Sequence, residues 1–204
     1  MTSLQKTRSG MEEQYQARLK RPRIVVGLGT CGIAAGGNKV MAAIKQEVAD
    51  RKLDVDVDFT SCIGMCYAEP VVEIALPGSA SVVYGGVYPD NVTKLIDGHL
   101  VNKTPVAEMA EVQIPGEATP YEGIPVMEEA GYYAKQVRSV TSRLGRTNPE
   151  NIEDYIATGG YAALEKALSM DRLDIINEVK KSGIRGRGAG ASPPGPSGSS
   201  CTTR

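Results

Sequence analysis

Tryptophan is absent and phenylalanine occurs once, so any core has to be assembled from Val, Ile, Leu, Ala and Tyr. The single histidine, His99, leaves no convincing Cys-His or Ser-His catalytic pair, and a structural or surface role at a helix end is the simpler reading. Neither sign of charge dominates: 23 Lys and Arg stand against 24 Asp and Glu, a net of −1. That balance excludes a global field able to hold nucleic acid or an anionic membrane. No apolar run approaches the ~18 residues needed to span a bilayer. The first twenty residues lack the apolar block of a secretion signal. Together these absences predict a soluble, cytoplasmic chain with no direct membrane insertion, at most peripheral to a membrane complex. Four cysteines in 204 residues are too few for a disulfide scaffold.

An apolar fraction of 41% is enough for a core. Residues 1–22 are polar, with a weak helical pattern, and read as a loosely attached arm. Residues 23–28 (RIVVGL) have the form of a buried strand. A glycine-rich turn follows, and then a helical segment over 35–51 with Val40, Met41, Ile44 and Val48 on one stripe. Residues 53–59 alternate strictly between apolar side chains and Asp54, Asp56 and Asp58, which predicts a half-buried strand. A D-x-D-x-D calcium loop is excluded because Phe59 stands where that loop needs glycine. Residues 71–76 and 81–84 read as a hairpin, and Pro89 opens a helix reaching His99. The order β-α-β-loop-β-β-α implies one parallel pair, an added antiparallel hairpin and flanking helices. The fold class is therefore α/β, a small thioredoxin-like mixed sheet. Residues 104–129, rich in proline, read as a linker. Beyond them lie short helices: Asn148 before Pro149 looks like a helix start, and residues 161–170 and 171–182 follow. From 189 the chain contains no Val, Ile, Leu, Met or aromatic residue, so this tail is expected to be disordered.

The cysteines carry the chemistry. Cys62 and Cys66 are four apart on a loop after the second strand, with Gly64 permitting a tight turn between them; Cys31 follows the first strand. If those two strands are parallel neighbours, their ends share one sheet edge and Cys31 faces the Cys62/Cys66 loop. A thiolate cluster requires such convergence of soft anionic ligands from separate loops, with backbone N–H groups near the sulfurs. Three unrelated core cysteines are the plainer alternative. A redox-active dithiol is another, although the x3 spacing departs from C-x-x-C. The run Gly27-Leu28-Gly29-Thr30-Cys31-Gly32 fits a dinucleotide fingerprint poorly, because it lacks G-x-G-x-x-G.

GTCGIAAGG, CIGMCYAEPVVEI and VYPDNVTKLIDGHLVNKTPV together resemble the thioredoxin-like [2Fe-2S] ferredoxin family. The nearest form is the copy fused to the front of flavoprotein subunits of NADH dehydrogenases and NAD-linked hydrogenases. The resemblance implies that residues 23–103 form the ferredoxin domain and that Cys31, Cys62 and Cys66 ligate a [2Fe-2S] cluster. The family's remaining cysteine would fall near Gly27 and is missing, and Cys201 lies in the tail. Residues 130–188 resemble the opening of the NADH/FMN-binding flavoprotein subunit of respiratory complex I. There Gly186, Arg187 and Gly188 match the start of the glycine-rich flavin loop, whose backbone approaches the phosphate closely. The pattern then breaks into Ser192-Pro193-Pro194-Gly195, which is what an out-of-frame reading of Phe-Pro-Thr-Gly codons yields. Residues 189–204 are therefore expected to be an out-of-frame tail. The implied role is an electron-transfer component that works with other subunits of an NADH dehydrogenase or hydrogenase, not active alone. FMN and NAD belong to the intact family rather than to this shortened chain. A cluster-free docking module joining the flavoprotein to partner subunits is the alternative.

Overall fold

Ile24, Val25 and Val26 are all buried, as a strand covered on both faces requires. β1 (Arg23–Gly27) is accordingly central: it pairs in parallel with β2 (Asp56–Thr60) and antiparallel with β3 (Val72–Ala75). The computed structural model describes residues 3–185 apart from Tyr132 and Val140. β4 (Ser81–Tyr84) and β5 (Ala110–Ile114) complete a five-stranded mixed sheet of order β2-β1-β3-β4-β5. The crossover between the parallel strands is made by α2 (Thr30–Ala34) and α3 (Gly37–Asp50), separated at Gly36, which takes a left-handed φ of 105°. α3 is the helix expected over 35–51, and α2 is a further short helix within the glycine-rich turn before it; the break between them falls at glycine, which adopts that φ cheaply.

α3 and α4 (Pro89–Leu95) lay Val40, Met41, Ile44, Val92 and Leu95 on one sheet face, against Ile24, Val26, Ile74, Val82 and Tyr84. α4 runs on into a π-helical turn, Ile96–Val101, that buries His99 completely. The opposite face is covered by Met65, Met127 and Tyr133, which pack on Val71, Val83 and Val112. This is the thioredoxin-like α/β arrangement predicted from the element order.

Two expectations are corrected. Residues 104–129 are not a plain linker, since they contain β5. The chain after β5 folds back along it: the Gln113 carboxamide donates to the carbonyls of Tyr121 and Ile124 and accepts from the Tyr121 N–H. Four prolines hid a strand whose pattern spans only five residues. The N-terminal segment is likewise no loose arm. It is a helix, α1 (Ser3–Leu19), that buries Tyr15 and pairs Arg18 with Asp154 of α5 (Ile152–Ala157) at 2.5 Å. The Tyr15 hydroxyl donates to the Arg146 carbonyl at 2.6 Å. α5 starts later than predicted, capped by Asn151, whose side chain accepts from the Glu153 N–H at 2.9 Å. Asn148 makes the equivalent contact to Glu150 in the turn before it.

The chain divides after Thr158 into two compact units. The described part of the second holds α6 (Ala162–Ala167) and α7 (Arg172–Lys181), neither with a buried residue. Asp174 in the first turn of α7 and Lys180 and Lys181 in its last match the helix dipole. No described helix is long and apolar enough to cross a membrane. Gly186, Arg187 and Gly188, Cys201 and the 189–204 tail lie outside the described residues.

Candidate functional site

Because β1 and β2 are parallel, with Gly27 opposite Thr60, the loops leaving them emerge at the same sheet edge. They are in backbone contact. The Leu28 N–H donates to the Thr60 carbonyl at 2.8 Å, and a Cβ placed on Gly29 would lie 2.8 Å from both the Cβ and the backbone nitrogen of Cys62. Glycine at 29 is therefore a condition of this approach. The second loop is anchored by Met65, which lies between Cys62 and Cys66 in the sequence and is fully buried in the cluster with Val71, Val83, Met127 and Tyr133. Burial of such a side chain contributes about 2 kcal/mol. The Tyr133 hydroxyl adds a hydrogen bond to the Ile63 carbonyl at 2.8 Å.

On this platform the Cys62 and Cys66 sulfurs stand 3.6 Å apart, with Cys66 exposed and Cys62 half-buried. Gly64 turns with a left-handed φ of 97° and aims its N–H at the Cys62 sulfur at 3.3 Å. Burial pushes the Cys62 thiol above its ordinary range and the Gly64 N–H opposes this, while the nearby Cys66 and the Glu69 charge reinforce the rise. Cys31 lies in the first turn of α2, exposed, on the facing loop. Among the described residues no three His, Cys, Asp or Glu side chains gather closely enough to hold a metal ion. Cys31 thus shares the edge with the thiol pair without joining it in one tight group.

Gly27, where the family pattern would have a cysteine, is closely overlaid. A Cβ there would fall 2.6 Å from a Val71 methyl and 3.3 Å from Glu69 Oε2. A Cβ on Gly32 would lie 3.0 Å from the same carboxylate oxygen. Glu69 Oε2 accepts the Val71 N–H at 3.0 Å, whereas Oε1 is buried with no partner among the described residues. Burial raises this carboxyl above its ordinary range, and the Val71 N–H partly offsets the rise. Nothing in the spacing of the cysteines singles out Glu69. Its proximity to Gly27 follows from the antiparallel pairing of β1 with β3, which no local pattern announces.

Other candidates have structural uses. Asp54 and Asp56 pair with Arg21, and Asp58 accepts from the Asn148 side chain at 2.7 Å. His99 accepts or donates at Nδ1 to the Tyr84 hydroxyl, 2.8 Å away, deep in the core.

No protein-family model matches the chain. The NADP-reducing hydrogenase subunit HndC of Solidesulfovibrio fructosivorans is 46% identical over 61 residues, 30% of this chain and 12% of that protein. A component of the NADH-quinone oxidoreductase of Aquifex aeolicus is 39% identical over 64 residues, 31% of this chain and 15% of that protein. The chain therefore spans a small part of these two relatives. The solved thioredoxin-like [2Fe-2S] ferredoxin of Aquifex aeolicus superposes with a TM-score of 0.41 at 21% identity, covering 48% of this chain and 97% of that one. The NADP-reducing hydrogenase subunit HndB of Solidesulfovibrio fructosivorans is 41% identical over 105 residues, covering 50% of this chain. Since that match takes in 82% of the relative's own length, the chain belongs to the family of this hydrogenase subunit.

Proposed function

We propose that this chain is an electron-transfer component of an NAD(P)-linked hydrogenase or NADH dehydrogenase, acting with other subunits, and that Cys31, Cys62 and Cys66 are thiolate ligands of a [2Fe-2S] cluster. The observation that carries the reading is the thiol pair: two sulfurs 3.6 Å apart, one receiving a backbone N–H, on a loop in backbone contact with the loop that holds Cys31. The donor set fits the group. Soft sulfur donors, a glycine-lined cradle and an orphaned buried carboxylate oxygen lie at one edge. A cluster of this kind supplies reversible one-electron transfer. The chain's part is to hold it and to set its potential: the Gly64 N–H stabilises negative charge on Cys62, and Met65 keeps the loop's underside dry.

Residues 130–188 are in this reading the start of a flavoprotein segment, with Gly186, Arg187 and Gly188 at its flavin loop. In this reading FMN and NAD belong to the intact flavoprotein family rather than to the segment present here. The experiment is anaerobic purification, iron and sulfide analysis, and EPR after reduction. About two irons and two sulfides per chain, with a two-iron signal, are expected. A colourless protein that takes up neither on reconstitution refutes the assignment. One observation favours a second reading, a cluster-free docking module: Cys31 does not group tightly with the other two sulfurs among the described residues.

A further inference from the structure

A [2Fe-2S] cluster takes four protein donors, and this chain offers three thiols at the edge where the pattern expects four. The position of the missing cysteine is not empty space. The side chain of a residue 27 would begin 2.6 Å from the Val71 methyl and 3.3 and 3.5 Å from the two oxygens of Glu69. A cysteine side chain at 27 and the present Glu69 carboxylate therefore compete for the same volume. Where a thiolate would project from the end of β1, a carboxylate arrives instead from the loop that leads into β3.

The carboxylate is half used. Oε2 is held by the Val71 N–H at 3.0 Å, which orients the group, while Oε1 is buried with no hydrogen-bond partner among the described residues. A buried carboxylate oxygen without a partner is costly to keep, and such groups in native proteins call for an explanation such as a bound ion. The same carboxylate is close enough to the thiol pair for its charge to be felt at Cys62. Glu69 also lies against Gly32, so it borders both loops that bear the thiols. A single metal ion would need these donors in one tight group, which they do not form. A two-iron cluster distributes its ligands over two metals and tolerates wider separation.

Resting on the cluster reading above, we propose that Glu69 is the fourth ligand, an oxygen donor replacing the cysteine absent at position 27. The chain then presents three sulfurs and one carboxylate oxygen, and Gly27 is small because the carboxylate takes the space of its side chain.

The test uses the full chain reconstituted anaerobically with ferrous iron and sulfide, as wild type, Glu69→Gln and Glu69→Cys. Glu69→Gln keeps an acceptor for the Val71 N–H and so preserves the fold, which the melting temperature of the metal-free variant checks. Release of iron to a chelator is expected to be at least about tenfold faster in Glu69→Gln than in wild type. Glu69→Cys is expected to retain iron, with EPR g-values and visible absorption displaced from the wild type. If wild type and Glu69→Gln give the same g-values and the same release rate, the Glu69 assignment is overturned while the cluster stands. If the wild type itself takes up no cluster, the reading of the thiol site fails, and this proposal with it.

Discussion

His99 is the only histidine of the chain and is completely buried, so its titration can be followed without ambiguity. Its Nδ1 lies 2.8 Å from the Tyr84 hydroxyl. That hydroxyl accepts the Val106 N–H at 3.4 Å, which directs its own proton to the imidazole. The hydrogen-bond network therefore assigns a neutral ring carrying its hydrogen on Nε2. Nε2 has no hydrogen-bond partner among the described residues and sits in a ring pair edge-on to Tyr121, centroids 6.0 Å apart. Burial lowers the pKa from 6.5 to about 4. Above pH 6.5 the ring is neutral whether folded or unfolded and contributes no pH dependence. As pH falls from 6.5 towards 4, the unfolded chain binds a proton that the folded one refuses. Stability is therefore lost at about 1.4 kcal/mol per pH unit, about 3 kcal/mol across the window. Urea unfolding of the metal-free protein between pH 7.5 and 4.5, compared with His99→Phe, isolates this contribution because the carboxylates are common to both. By pH 4.5 the wild type is expected to have lost about 2–3 kcal/mol more than the variant, a midpoint difference of about 1 M or more. Parallel pH profiles, or a ring proton titrating near 6.5 in the folded protein, would refute the reasoning.

Gly29→Ala places a methyl 2.8 Å from the Cys62 backbone; it is expected to force the two loops apart and lower reconstituted iron content while leaving the far-ultraviolet circular dichroism unchanged. Cys31→Ser, Cys62→Ser and Cys66→Ser are each expected to reduce bound iron, and an undiminished iron content in Cys31→Ser would remove that residue from the ligand set. Arg18→Met leaves Asp154, which is 3% exposed, without its cation. With two backbone or amide donors still on Asp154 and Arg18 partly solvated, the expected loss is about 2 kcal/mol, a fall of about 4–8 °C in melting temperature.

The sheet was legible where a local pattern was strong. β1 is an uninterrupted apolar run, and β3 and β4 are joined by a proline–glycine turn. The helix α3 shows its buried stripe, and β-α-β order implied the parallel pair and hence the shared edge of the two cysteine loops. β5 was not legible, because its five residues lie among prolines and it is held as much by the Gln113 side chain as by its own pattern. Nor was the attachment of α1, which depends on one tyrosine and one arginine meeting residues more than 130 positions away.

At the site the division is sharper. Residue types and spacing alone determined which thiols are candidates, since C-x3-C around a glycine and a cysteine after the first strand are local facts of the chain. Only the tertiary structure decided what stands beside them: that Glu69 fills the space over Gly27, that Gly29 must be small for the loops to touch, and that Met65 anchors the thiol pair from below. The reason is that strand pairing is non-local. The antiparallel pairing of β1 with β3 brings residue 27 opposite Val71, and so beside Glu69 in the loop before β3, across a distance in sequence that no periodicity encodes.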